Sequence, residues 1–356
     1  MKILDKLLRA TVVLLVLVLL MVLALSWGRI ALAERHTPED ALQQSAAAPL
    51  LASAAVAQHR WVQALDVKLH IQEYGSVINP PLMLVHGTAA WSQTWVSNVD
   101  AMVQAGYHVI AVDLPPFGFS TRPSGADYNR AMQALRLLAL MDALQLPPVT
   151  LLGHSYGGGP AAEAAMLQPE RVRHLILLDA AVGLRDDTDA GAGVGASEST
   201  PASPSIAQRL FAMRPLRTTF VALVGTQPLL SEYWLRPFVF RKEVVTPQRT
   251  AIYQQPFAVQ DYSAALGDWA YQFAGEQGRF KSEQSAGYRK LRIPVTLMWG
   301  AQDSITPLAQ AQALKALMPQ SKLVLLPGVG HIPQIEDVDF FNRKLAEVLA
   351  THVASQ

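Results

Sequence analysis

A serine set between two glycines, an aspartate and a histidine occur along this chain in an order suited to nucleophilic catalysis. Gly153-His154-Ser155-Tyr156-Gly157 follows the apolar run Val149–Gly153 and leads into a small-residue stretch holding Ala161, Ala162, Ala164 and Ala165. A sharp turn from strand to helix forces such a serine into a strained backbone conformation, which needs glycine two positions to either side. It also presents the hydroxyl at a helix N-terminus, where developing negative charge is favoured. Gly-x-Ser-x-Gly alone is an ordinary turn composition, and the flanking strand and helix give it weight. The hydroxyl needs a base to take its proton and an acid to orient that base. Asp303 comes after Met298-Trp299-Gly300, and His331, 28 residues later, ends the turn Pro327-Gly328-Val329-Gly330. Each lies just past the carboxyl end of an expected strand, where α/β sheets gather their ligands. Asp179, after Leu175–Leu178, is an alternative acid, although a strand-end carboxylate more often bonds local amides. The turn His86-Gly87-Thr88 can bring a backbone N–H beside that of Tyr156 to form an oxyanion hole.

Other residues fit blander roles. His154 and His86 read as packed turn histidines. Trp91 and Phe117 are candidate pocket residues, whereas Trp95 suits packing of the helix that follows. The nine histidines are scattered with no i, i+4 pair, so no metal is expected, and the chain has no cysteine for thiolate chemistry or disulfides. Of the 356 residues 51% are hydrophobic, and 29 basic side chains nearly balance 28 acidic ones. This composition supports a packed core and lacks the basic footprint of a nucleic-acid binder.

The elements that must position these groups alternate. Short apolar runs at Trp61–Leu65, Lys68–Tyr74, Leu82–His86, Val109–Asp113, Val149–Gly153, Leu175–Asp179, Val295–Trp299 and Leu323–Leu326 read as strands, the first two as a hairpin. Helical periodicity over 93–105, 129–145, 157–168, 307–318 and 337–351 predicts parallel strands joined through helices, an α/β class. The 115 residues between Asp179 and Val295 exceed a simple crossover and predict an insertion. Asp186 to Ser205 reads as a loose attachment. Residues 206–290 read as helical and hold 14 of the 27 aromatic residues. Trp234, Phe238 and Phe257 are the candidate pocket residues among them. The expected divisions are 1–33, 34–59 as a linker, 60–184 and 291–356 as one core, and 185–290 as a cap.

Ala10 to Gly28 is a run of 19 uncharged residues behind Lys2, Lys6 and Arg9. As a helix it extends ~28 Å, close to the ~30 Å hydrocarbon core of a bilayer. The basic flank keeps the start of the chain cytoplasmic and sends the bulk to the other side. Ala31-Leu32-Ala33 also fits a signal cleavage site, but the length of the run favours a retained anchor.

With these features in register, residues 60–356 resemble the α/β-hydrolase superfamily. The resemblance implies a predominantly parallel eight-stranded sheet with its first pairing antiparallel, a helical cap over the site, and no cofactor. It implies Ser155 as nucleophile, His331 as general base and then acid, Asp303 as its orienter, and the amides of Thr88 and Tyr156 as oxyanion donors. Pro116 departs from the glycine usual in the Asp-Leu-Pro-Gly type of turn. Esterase or lipase action on an apolar, lipid-like acyl substrate is the leading expectation. Carbon–carbon bond hydrolysis of ring-cleavage products and aminopeptidase action share the same catalytic set. A non-catalytic binding protein on this scaffold is disfavoured because all three triad positions are filled.

Overall fold

The computed structural model describes residues 2–46, 57–184, 205–275 and 280–353. Of the expected loose attachment only Ser205 is among them; it caps the helix Ile206–Ala212 by accepting the Gln208 N–H at 3.2 Å. Eight strands form a single sheet: β1 (Gln58–Ala64), β2 (Val67–Tyr74), β3 (Pro81–Val85), β4 (His108–Val112), β5 (Val149–His154), β6 (Val172–Leu178), β7 (Val295–Gly300) and β8 (Lys322–Leu326). Their order is β1-β2-β4-β3-β5-β6-β7-β8. Only β2 runs against its neighbours, pairing antiparallel with both β1 and β4. Strands β3, β4, β5 and β7 are buried along their whole length. They read as continuous apolar runs because helices cover both faces of a parallel sheet.

On one face the helices Arg130–Ala143, Gly158–Leu167 and Leu308–Leu317 close a core containing Leu137, Leu140, Ala162 and Leu314. On the other, Val99–Gln104 and Val338–Val353 bury Met102, Phe341 and Leu345 against the strands. The chain goes from β3 to β4 on one side and then to β5 on the other. That reversal opens a crevice at the carboxyl ends of β3 and β5, the usual ligand position in such sheets.

The cap between β6 and β7 is helical, as expected. It includes Arg214–Phe220, a π-helical turn Val221–Gly225, Ser231–Leu235, Pro247–Gln254 and Tyr262–Gly275. Trp269 stacks on Phe273 and meets Phe117 and Tyr156 edge-on, so the cap shares the main core. Arg130 ties its base down by donating to the Val182 carbonyl at 2.7 Å and to Ser282 Oγ at 3.3 Å.

Arg9–Ala33, within the helix Lys2–Ala33, is long and apolar enough to cross a membrane, with a mean hydropathy of 2.8. The stretch expected as a linker differs where it is described. His36 pairs with the backbone of Ala258–Gln260, and Ala41 on the helix Pro38–Ala46 is buried with Trp91, Phe119, Ile252 and Val259. Small side chains gave it the composition of a spacer, and their smallness is what lets the helix approach the cap closely.

Candidate active site

Directly after β5 comes a residue in a strained backbone conformation. Ser155 sits at φ 50°, in the left-handed region, before the turn Ser155–Gly157 and the helix Gly158–Leu167. A non-glycine residue held there costs about 1–3 kcal/mol, sustained only where the surroundings fix it. They do: a side chain at Gly153 would come within 2.6 Å of the Gly157 carbonyl oxygen, and one at Gly157 would strike the His86 carbonyl oxygen. The two glycines therefore let β3 and the helix close around the serine.

Past β8, the turn brings His331 Nε2 to 2.8 Å from Ser155 Oγ. Past β7, Asp303 Oδ2 lies 2.8 Å from His331 Nδ1. A carboxylate only accepts, so Nδ1 carries the proton and Nε2 offers its lone pair to the serine. Burial opposes charge on Asp303, but hydrogen bonds from His331 and Thr306 outweigh it and bring the carboxyl down to about 2. Thr306 Oγ1 lies 2.6 Å from Asp303 Oδ2 and 3.2 Å from His331 Nδ1, while the amides of Ile305 and Thr306 donate to Asp303 Oδ1 at 2.7 and 3.0 Å.

Asp179, the alternative acid, is fully buried beside this pair and accepts the Gly300 N–H at 2.8 Å. Burial, reinforced by the neighbouring Asp303 charge, pushes it well above the carboxylate range. Its carboxyl is thus held back from ionising, and the carboxylate bonded to the histidine is Asp303. One ligating atom each of Asp179, Asp303 and His331 lie within 4.8 Å of one another, as a metal site would require. His331 Nδ1 and both Asp303 oxygens are, however, already engaged with one another, Thr306 and Ile305.

His154 is a packed turn residue as expected, its Nε2 2.7 Å from the His331 carbonyl oxygen. His86 likewise bonds loop backbone, with Nδ1 on the Gly87 carbonyl and Nε2 on the Leu114 amide. Above Ser155 lies a cavity walled by Thr88, Tyr253, Trp234, Phe238, Phe257 and His331, among others. Three of the five candidate pocket aromatics therefore border it. Trp91 and Phe117 do not: Trp91 is buried with its indole N–H on the Ile252 carbonyl, and Phe117 is packed among His86, Tyr156 and Trp269. Both follow strand ends, a position that serves core packing as readily as a pocket wall. Tyr156 turns its ring into that same core, its hydroxyl donating to the Tyr128 carbonyl at 3.2 Å.

Two residues that the sequence did not single out complete the site. Thr306 is one; an acid followed three residues later by threonine is a local turn signal that could have found it. Glu336 is the other. Its buried carboxylate accepts the amides of Gly330 and Ile332 beside the histidine and of Phe240 and Arg241 in the cap, at 2.7 to 3.2 Å.

The chain matches the model of the α/β hydrolase fold family over residues 80–338. It is 30% identical over 264 residues to an uncharacterised protein of Mycobacterium tuberculosis, a match covering 72% of each. It is 29% identical over 300 residues, 82% of this chain and 96% of the relative, to a 2-hydroxy-6-oxo-2,4-heptadienoate hydrolase of Pseudomonas putida. The structure is similar to that of a membrane phospholipase A, a bacterial virulence factor, with a TM-score of 0.65 and 26% identity over 96% of this chain and 99% of that one. This protein belongs to the α/β hydrolase fold family.

Proposed function

We propose that the protein is a membrane-anchored serine hydrolase that cleaves acyl esters of an apolar, lipid-like substrate. The observation that carries this reading is the unbroken chain of hydrogen bonds from Asp303 through His331 to Ser155, opening into a cavity lined by aromatic side chains. As His331 Nε2 takes its proton, Ser155 Oγ bonds to the acyl carbon, and the carbonyl oxygen becomes an oxyanion held by the amides of Thr88 and Tyr156. Collapse breaks the ester bond, and the leaving alcohol takes the proton from His331. Water, deprotonated by the same nitrogen, then releases the acid and restores Ser155. Lipase or esterase action accords with the phospholipase likeness and with the apolar N-terminal helix. The basic residues before that helix favour a catalytic domain outside the cytoplasm.

Carbon–carbon bond hydrolysis is the second reading, favoured by the Pseudomonas relative. Ring-cleavage products of that kind are carboxylates, and no lysine or arginine is among the described residues lining the cavity, which favours an ester. The test is labelling by a fluorophosphonate probe, followed by a panel of acyl esters of increasing length, ring-cleavage acids and aminoacyl amides. Labelling of the parent but not of Ser155→Ala, with turnover confined to esters, is expected. An unlabelled, folded parent sinks the serine hydrolase; preference for the ring-cleavage acids sinks the ester.

A further inference from the structure

The outer end of the apolar helix is seated on the cap. Ser26 is buried and its Oγ donates to the Thr219 carbonyl at 3.3 Å. The Arg29 guanidinium donates to the Thr226 carbonyl and lies 3.2 Å from its Oγ1. Val22 and Leu23, a turn earlier, are half-buried, and the helix packs on Arg214–Phe220 and the π turn Val221–Gly225.

The flanking charges fix how deep this contact lies. Arg9 and Arg29 bracket 19 uncharged residues. That length, ~28 Å, leaves no slack in a core of ~30 Å, so lifting the helix outward would draw Arg9 into hydrocarbon. Arg29 therefore marks the boundary, and Ser26 and Val22 lie about 4 and 10 Å beneath it at ~1.5 Å per residue. The cap backbone bonded to Ser26 must lie there too.

We propose that the cap segment from Thr219 to Trp234 is an interfacial docking surface, set into the headgroups and outer acyl chains of the bilayer. The inference rests on the anchor reading above. Its chemistry suits that partner: Thr218 to Ser231 contains no charged residue, and Phe220, Leu229 and Tyr233 are 55%, 87% and 67% exposed. A depth of ~5–10 Å is that of helices lying in a membrane interface, and tryptophan and tyrosine, here Trp27, Tyr233 and Trp234, are the side chains that favour it. Gly225, Ser231 and Trp234 of this segment also line the cavity over Ser155, so an acyl ester enters the site from the bilayer.

The absence of cysteine allows a direct test with the full chain in phosphatidylcholine vesicles carrying spin-labelled lipid. Single cysteines bearing an environment-sensitive fluorophore replace Leu17, Phe220, Leu229 or Ile78, the last at the amino end of β3, away from the site. Quenching at 17, 220 and 229 but not 78 is expected. Quenching at 17 without 220 and 229 overturns the docking surface and leaves the anchor; no quenching at 17 overturns the anchor and the surface with it. In parallel, Phe220→Asp with Leu229→Asp should lower hydrolysis of a vesicle-borne long-chain ester about tenfold or more, leaving a soluble short-chain ester unaffected. Equal loss on both esters overturns the proposal.

Discussion

The imidazole of His154 donates its Nε2–H to the main-chain carbonyl of His331, 2.7 Å away, one histidine thus holding the backbone of the other. A carbonyl only accepts, so the tautomer of His154 is fixed. Burial, then repulsion from His331, lowers its pKa to about 3, which keeps the positive charge of any turnover on His331 alone. His154→Phe removes the donor and should reduce kcat about tenfold, the size of one lost buried hydrogen bond. The pH profile of kcat/KM should keep its shape between pH 5 and 9, because His154 does not titrate there. Loss of a limb from that profile would instead make His154 a proton carrier.

Asp303 and Asp179 are neighbours whose carboxyls are shifted in opposite directions, so their asparagine variants should diverge. Asp303→Asn removes the charge that fixes and stabilises the imidazolium and should cost ~10³–10⁴ in kcat. Asp179→Asn replaces a carboxyl that burial holds back from ionising by an amide that still accepts from the Gly300 amide, and should cost less than tenfold. A reversed order in folded variants would reassign the acid.

The same two carboxyls predict opposite effects on stability against pH. Asp303 titrates at about 2 in the folded protein against ~3.9 unfolded, so its contribution is complete above pH 4 and lost as pH falls toward 2. Asp179 has a raised folded value, so its contribution is complete below the unfolded value and lost as pH rises through the folded one. The Tm of Asp179→Asn relative to the parent should therefore climb with rising pH, while that of Asp303→Asn should fall behind most above pH 4. Parallel melting curves across this range would contradict both assignments.

Thr306 tests whether the acid needs its own support. Thr306→Val keeps the shape and removes the hydroxyl facing Asp303 Oδ2, a bond to a charged group worth ~1.5–3 kcal/mol. A fall in kcat of about tenfold with KM little changed is expected, and Thr306→Ser should restore it. If serine fails to rescue, the methyl rather than the hydroxyl is what matters.

The central strands β3 to β7 were legible because strands buried on both faces leave uninterrupted Val, Ile and Leu runs bounded by turns. The antiparallel hairpin β1–β2 and the partly exposed edge strand β8 rest on shorter apolar stretches. The serine turn was legible because its glycines sit at fixed offsets from Ser155, although the atom that demands Gly157, the His86 carbonyl oxygen, is remote in sequence. What stayed hidden depends on contacts remote in sequence. Glu34 accepts the Ser263 amide across 229 positions, and nothing in the mostly polar residues 34–46 announces a docked segment. Trp91 and Phe117 were misjudged for a related reason: an aromatic after a strand end faces pocket or core according to neighbours brought in by the cap.

Glu336 fastens the histidine loop to the cap, which limits which parts of the cap can move. Its two oxygens receive amides from Gly330 and Ile332 on one side and Phe240 and Arg241 on the other, and the His331 amide itself donates to the Phe238 carbonyl at 3.1 Å. Glu336→Gln substitutes an NH₂ donor for one oxygen, setting it against amides that also donate. At least one buried N–H loses its partner, at ~1–3 kcal/mol, or a few degrees in Tm for a domain of this size. Because the shared carboxylate positions both His331 and the Phe238 wall, kcat should fall and acyl-chain preference should broaden together. Hydrogen exchange should quicken at residues 238–241 and 330–332 in step. Exchange that rises in the cap segment alone, with the histidine loop as protected as before, would show that the two are held independently.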